Sequence, residues 1–193
     1  FVKIKLLEPA EVDHLLDFYT SEIEKNDYIL SDFSDKEYTI FSVFHTKKEF
    51  RKIIFDTIYN ILKPKIEKIL KNYKPMAANY IVKYPHKGIL DVHQNAVLVD
   101  EEKYTSLSVW CAMQDTTTEN GTLYFIKGSH KIFRGLRSSF THLPFKNIQK
   151  YLISRYMIPV EAKKGEAIIL DDSIIHFSDI NKTDNKRISA HLI

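Results

Sequence analysis

The sequence predicts a mainly β fold with helices at its N-terminal end. Three observations predict it: two stretches of helical periodicity before residue 75, a series of short β-type segments after it, and turn residues between those segments. In Glu11 to Ile23 the apolar residues Val12, Leu15, Leu16, Tyr19 and Ile23 recur at the three- and four-residue spacing of one buried helix face. From Lys47 onward Phe50, Ile53, Ile54, Ile58, Ile61 and Leu62 repeat the pattern. Pro64 lacks a backbone donor and clashes with the preceding turn, so a kink or a fresh helix start is expected there, with Ile66, Ile69 and Leu70 continuing the face. Between the two helices, Asp27 to His45 mixes aromatics with Ser and Asp and reads as a loop or lid. Residues 1–74 thus form a helical N-terminal part. Beyond Pro75, strands are expected over Met76–Tyr84, Leu90–Leu98, Leu107–Gln114, Thr122–Ile126, Met157–Ala162, Ala167–Leu170 and Arg187–Ile193. Asn120-Gly121 is a hairpin turn signal and Lys164-Gly165 a weaker one. Many short strands with few helices among them indicate an antiparallel sandwich or barrel.

Composition narrows the function class. A chain of 193 residues suits one domain over 1–193 with a substantial core. The net charge of +3 comes from basic residues spread along the chain, which gives no case for nucleic acid. No apolar run approaches the roughly 20 residues of a bilayer span, so no membrane partner is expected. Phe1 is not followed by a charged and then an apolar region, so no signal peptide is read. Cys111 is the single cysteine, which excludes an internal disulfide or thiolate cluster and fits a reducing, cytoplasmic compartment. Its expected role is that of a small buried apolar residue.

The candidate chemistry centres on His93-Gln94-Asn95. Residues two apart on a strand share a face, so His93 and Asn95, and Asp91 with them, can reach one point in a barrel mouth. A redox iron site needs protein ligands on one face only, commonly two His and a carboxylate, with the other positions open to a cosubstrate and dioxygen. His176 offers the third corner from a distant strand. Arg187 follows the turn Asn181 to Lys186, and its fork of donors suits the far end of a dicarboxylate. Among eight histidines each element alone is near chance; their joint order on a strand-rich chain is far more specific.

From about Tyr80 to its end the chain resembles the phytanoyl-CoA hydroxylase-like family of iron(II)/2-oxoglutarate dioxygenases. The likeness rests on His93-Gln94-Asn95 at the family's His-x-Asp position, Asp100-Glu101-Glu102, Ser108-Val109-Trp110, Glu119-Asn120-Gly121-Thr122-Leu123, and Gly128-Ser129-His130-Lys131. Gly165-Glu166-Ala167, His176-Phe177-Ser178, Asn181 and Arg187 complete it. The resemblance implies a double-stranded β-helix, a cupin-like jelly roll, over 75–193. It further implies that His93 and His176 bind Fe(II), that Arg187 pairs with the C5 carboxylate of 2-oxoglutarate helped by the Ser178 hydroxyl, and that Trp110 lines the cosubstrate pocket. Gln94 points away from the iron, and His130 is a loop residue at the barrel rim. The implied reaction is hydroxylation of a small or carrier-bound organic substrate by dioxygen, with no catalytic residue required beyond the metal centre.

The chain departs from the family at Asn95, a neutral and poorer metal ligand than a carboxylate. Three readings stand: a weakened iron site with Asn95 or a water at the third position and Asp91 contributing; a catalytically silent member that binds a ligand or protein partner; and radical halogenation, against which the bulk of Asn counts. Asn95→Asp would restore the charge at nearly constant volume. Asp27–His45 and Phe133–Arg155 are expected to form the pocket rim. Ile193 lies six residues past Arg187, where family members commonly continue with residues that close the barrel edge; an exposed edge would invite strand pairing unless another segment or chain covers it.

Overall fold

The structure, a computed structural model, describes residues 1–24, 40–132, 135, 137 and 144–193. Most of the expected 27–45 loop and part of the 133–155 rim lie outside the described residues. The chain opens with a strand, β1 (Val2–Lys5), where a helical region was expected. Helix α1 (Pro9–Phe18) follows, started by Pro9 in its first turn and by a capping box in which the Glu8 N–H donates to Glu11 Oε2 at 2.7 Å. A π-helical turn over Tyr19–Glu24 carries the same apolar face on to Ile23. Strand β2 is the short Ile40–Phe41.

Helix α2 (Lys48–Ile69) is continuous through Pro64, so the helix does not restart there. Pro64 and Asn60 both lie on the solvent side, where water can take up the Asn60 carbonyl that the proline leaves without a donor. Phe50, Ile54, Ile58 and Leu62 are buried, whereas Ile53 and Ile69, counted from the sequence as part of the apolar face, are exposed.

The remaining strands are β3 (Ala78–Lys83), β4 (Leu90–His93), β5 (Leu107–Ala112), β6 (Leu123–Ile126), β7 (Met157–Val160), β8 (Glu166–Asp171), β9 (His176–Ser178) and β10 (Arg187–Leu192), with helix α3 (Gln149–Arg155) before β7. They form two antiparallel sheets, a major one ordered β1-β8-β5-β10-β3-β2 and a minor one ordered β4-β9-β6-β7. From β3 to β6, and again from β7 to β10, successive strands alternate between the sheets, which is the double-stranded β-helix. This alternation corrects two expectations. Asn120-Gly121 and Lys164-Gly165 are not hairpin turns but crossings from one sheet to the other, both with glycine at positive φ. Strand β10 is an inner strand between β5 and β3, and β1 and β2 form the edges of the major sheet.

Strand alternation sorts the side chains into layers. Val109, Cys111, Ala190 and Leu192 on the outer face of the major sheet pack against α1 and α2 with Tyr80 and Val82. Trp110, Ala112, Ile168 and Leu170 on its inner face meet Leu123 and Phe125 of the minor sheet. Cys111 is fully buried, and burial pushes its thiol up to about 12, so it serves as an apolar core residue. No helix among the described residues is long and apolar enough to cross a membrane.

Candidate metal and cosubstrate site

His93 and His176 stand opposite each other in the β4–β9 register, with ring centroids 4.2 Å apart. Each ring is oriented by its own strand: His93 Nδ1 lies 2.7 Å from Asp91 O and His176 Nδ1 2.9 Å from Ile174 O. A carbonyl only accepts, so both Nδ1 atoms carry the proton and both Nε2 atoms keep a free lone pair. Burial, with the neighbouring imidazole as the next cause, holds His93 down to about 3; burial holds His176 down to about 4. Both rings are therefore neutral near pH 7, the form that ligates metals.

Asn95 is placed differently from the sequence expectation. Strand β4 ends at His93 instead of running to Leu98, so Asn95 lies past the ladder. Its main-chain N–H donates to Asp172 O at 2.9 Å, and its side-chain Nδ2 donates to Asp172 Oδ1 at 2.8 Å and to Ser108 Oγ at 3.1 Å. Gln94 Nε2 turns the other way and donates to Ser173 O. Asp91 does not join the histidines: among the described residues no three His, Cys, Asp or Glu are grouped to hold a metal ion. The β4–β9 register shifts between Leu90 and His93, which breaks the alternation that would have aligned Asp91 with His93.

The second half of the site is a buried basic corner. Arg187, 1% exposed, donates from one terminal nitrogen to Ser189 Oγ at 2.9 Å and sits with its guanidinium carbon 5.4 Å from the Trp110 ring centroid. Burial pushes it down to about 9, so it stays charged at neutral pH. Its Nε has no hydrogen-bond partner among the described residues, and neither has the buried Ser178 Oγ. Lys83 connects the two. It is the register partner of Arg187 in β3–β10, and its Nζ donates to Ser178 O at 3.2 Å, to Asp179 O at 2.6 Å and to Gly88 O. Burial first, and Arg187 second, push its ammonium well below the ordinary lysine value.

Arg187 Nε and Ser178 Oγ, buried donors without partners among the described residues, fit a carboxylate, and two Nε2 lone pairs fit a divalent metal. The residues present therefore suit 2-oxoglutarate and iron, with Asn95 as the unusual member of the set. Sequence reading missed Lys83, Asp172 and the buried pair Asn79–His191, in which Asn79 Nδ2 lies 3.1 Å from His191 Nδ1 while Asn79 Oδ1 is left without a partner. A signal for two of these was present: Asn79 and Lys83 in β3, like Arg187, Ser189 and His191 in β10, fall on alternate positions and mark one polar face on adjacent strands. A cleft of about 600 Å³ lies elsewhere, between the C-terminal half of α2 and the Leu107 end of β5, and includes neither histidine of the pair nor Arg187.

Residues 5–189 match the family model described as phytanoyl-CoA dioxygenase. Among curated relatives, phytanoyl-CoA dioxygenase domain-containing protein 1 of Danio rerio is 30% identical over 137 residues, covering 64% of this chain and 47% of that protein. Its Dictyostelium discoideum homolog is 30% identical over 110 residues, 52% of this chain and 38% of that protein. The chain thus spans less than half the length of these two relatives. Among solved structures, the non-heme alpha-ketoglutarate-dependent carbocyclase SnoK from nogalamycin biosynthesis superposes with a TM-score of 0.68 at 17% identity, over 99% of this chain and 77% of that one. HygX from Streptomyces hygroscopicus, with nickel, 2-oxoglutarate and hygromycin B bound, superposes with a TM-score of 0.63 at 13% identity, over 99% of this chain and 80% of that one. At such identities the structures speak for the jelly-roll fold, and the near-complete family match then places the chain: it belongs to the phytanoyl-CoA dioxygenase family.

Proposed function

We propose that residues 1–193 form one oxygenase domain that uses Fe(II) and 2-oxoglutarate to hydroxylate a small or carrier-bound organic substrate with dioxygen. In this reading His93 Nε2 and His176 Nε2 hold the metal and Asn95 takes the third corner. Arg187 Nε and Ser178 Oγ receive the far carboxylate of 2-oxoglutarate, Lys83 braces the strand ends behind them through its carbonyl contacts, and Trp110 forms a wall of the pocket. The bound pair of cofactors supplies the activation of dioxygen, with loss of carbon dioxide from the cosubstrate. The chain's own part is to orient both and to keep water from them.

The observation that carries the reading is the coincidence of two buried donors unpaired among the described residues, Arg187 Nε and Ser178 Oγ, with the pair of oriented neutral imidazoles on the same inner surface. A second reading, a silent member that binds a ligand without turnover, is favoured by the lack of a carboxylate beside the histidines among the described residues. Calorimetric titration with 2-oxoglutarate, with and without Fe(II) under anaerobic conditions, followed by succinate release in air, separates the two. Metal-dependent binding lost in His93→Ala, together with succinate formation, supports the oxygenase. Binding without succinate supports the silent member, and absence of both ends the assignment.

A further inference from the structure

We propose that Asp172 is a positioning residue for the third metal corner: with Ser108 it turns the Asn95 amide so that Oδ1 is the end offered to the metal, and its carboxylate supplies negative charge one hydrogen bond behind that amide. The proposal rests on the oxygenase reading above and extends it to a residue outside the family's His-x-Asp position.

Asn95 is held at four points. Its N–H donates to Asp172 O, its carbonyl accepts from Arg137 Nε at 2.9 Å, and its Nδ2 donates to both Asp172 Oδ1 and Ser108 Oγ. The orientation of the amide follows from chemistry: Asp172 accepts hydrogen bonds from every side-chain neighbour, so the amide atom facing it must be the NH2 group. The planar amide then directs Oδ1 away from Asp172. That oxygen takes no hydrogen bond from the described residues and is not among their sealed-off unpaired atoms.

Asp172 itself is the second observation. It is fully buried and accepts from Ser106 Oγ, from Ser108 Oγ at 2.6 Å and from Asn95, yet it has no ion pair among the described residues. A buried carboxylate without a cation is costly, and a divalent metal on the far side of the Asn95 amide would offset it. An amide whose N–H donates to a carboxylate is polarised toward its oxygen, so the same hydrogen bond improves a weak neutral ligand. Where the family places charge on the ligand, this chain places it behind the ligand.

The arrangement changes what Asn95→Asp does. By itself the exchange sets two acceptor-only carboxylates against each other where a 2.8 Å hydrogen bond stood. Paired with Asp172→Asn it reverses the bond, because the new amide at 172 can donate to the new carboxylate at 95. The experiment is Mn(II) binding by calorimetry, with thermal melting, on the wild type, Asp172→Asn, Asn95→Asp and the Asn95→Asp/Asp172→Asn double variant. Asp172→Asn is expected to stay folded and to bind Mn(II) at least about tenfold more weakly, the usual scale for loss of outer-sphere support. Asn95→Asp is expected to melt lower than the wild type with no gain in affinity, and the double variant to recover the melting temperature and bind more tightly than the wild type. Wild-type affinity in a folded Asp172→Asn, or a gain in Asn95→Asp equal to that of the double variant, overturns the role of Asp172 and leaves the histidine pair standing. No Mn(II) binding by either the wild type or the double variant overturns the oxygenase reading together with it.

Discussion

Around Arg187, inside the barrel, two buried donors lack partners among the described residues, whereas around Asp172 the serine hydroxyls, the carboxylate and the Asn95 amide nitrogen are all engaged with one another. Strand register keeps the two clusters apart: Ser189 faces Ala112, while Leu192 faces Val109, which sets Ser108 toward the end of the sheet away from Arg187. A buried polar group that is satisfied contributes to one well-defined structure; one left open costs stability until something binds. The Asp172 cluster is thus part of the frame, and the Arg187 cluster is the one left open among the described residues.

The largest effect acts on the histidines that lie among these polar groups. His93, His176 and His191 are held down to about 3, 4 and 4, in each case chiefly by burial, against an ordinary value of 6.5. Below 6.5 the unfolded chain binds protons that the folded chain refuses, so the stabilisation is full above 6.5 and is lost as pH falls toward 4. The slope approaches about 1.4 kcal/mol per pH unit for each histidine. Denaturant melts of the metal-free protein from pH 7 to 4.5 should show this decline; a flat profile would mean that the rings are already protonated or reach water.

Next in size, Asp172→Ala leaves two hydroxyls and an amide without their acceptor and should cost about 3–5 kcal/mol in chemical denaturation. A loss under about 1 kcal/mol would show that Asp172 is not part of the frame. Arg187→Ala should reverse the balance, with a smaller change in the melting of the ligand-free protein but 2-oxoglutarate affinity reduced by about tenfold or more, since a charged hydrogen bond contributes about 1.5–3 kcal/mol. Unchanged affinity by calorimetry would break the comparison at its ligand-binding side. The mildest is Ser178→Ala, which removes a hydroxyl that has no partner among the described residues: stability should stay within about 0.5 kcal/mol, with 2-oxoglutarate binding weakened a few-fold. A large drop in melting temperature would reveal a structural role for that hydroxyl.

Much of this was legible in the chain itself. Helical periodicity found both long helices because Val12, Leu15, Ile54, Ile58 and Leu62 form single buried faces. Seven strands were readable because each carries β-branched or aromatic residues between turn signals. The three-residue β9 is too short for a periodic signal, β1 lies directly before the helical pattern of α1 without a turn signal ahead of it, and the two sheet crossings look locally like hairpins because both need a glycine at positive φ. In the site, the order of His93, His176 and Arg187 pointed to one constellation, and the structure sets the histidine rings side by side and Arg187 against Trp110. What could not be read is where β4 stops. Strand alternation directs Asn95 only while the ladder lasts, and its partner Asp172 comes from a distant turn with nothing in Asp171-Asp172 to separate a buried acid from an exposed one. Lys83 was passed over because an ammonium in a strand is usually solvated; here three carbonyls replace the water.

That lysine does the work of a cross-link without a covalent bond. Its ammonium gathers carbonyls from the segment after β3 and from the end of β9, while its methylene stem fills the space against Gly88 and Gly121, where an added methyl group would come within 2.9 Å of it. Three loops that are far apart in the chain are therefore fastened to one side chain. Neither the Gly88 segment nor the end of β9 can swing outward alone without taking a carbonyl away from the buried Lys83 Nζ, and so this corner of the barrel should breathe as a single body, its amides exchanging with solvent together or hardly at all.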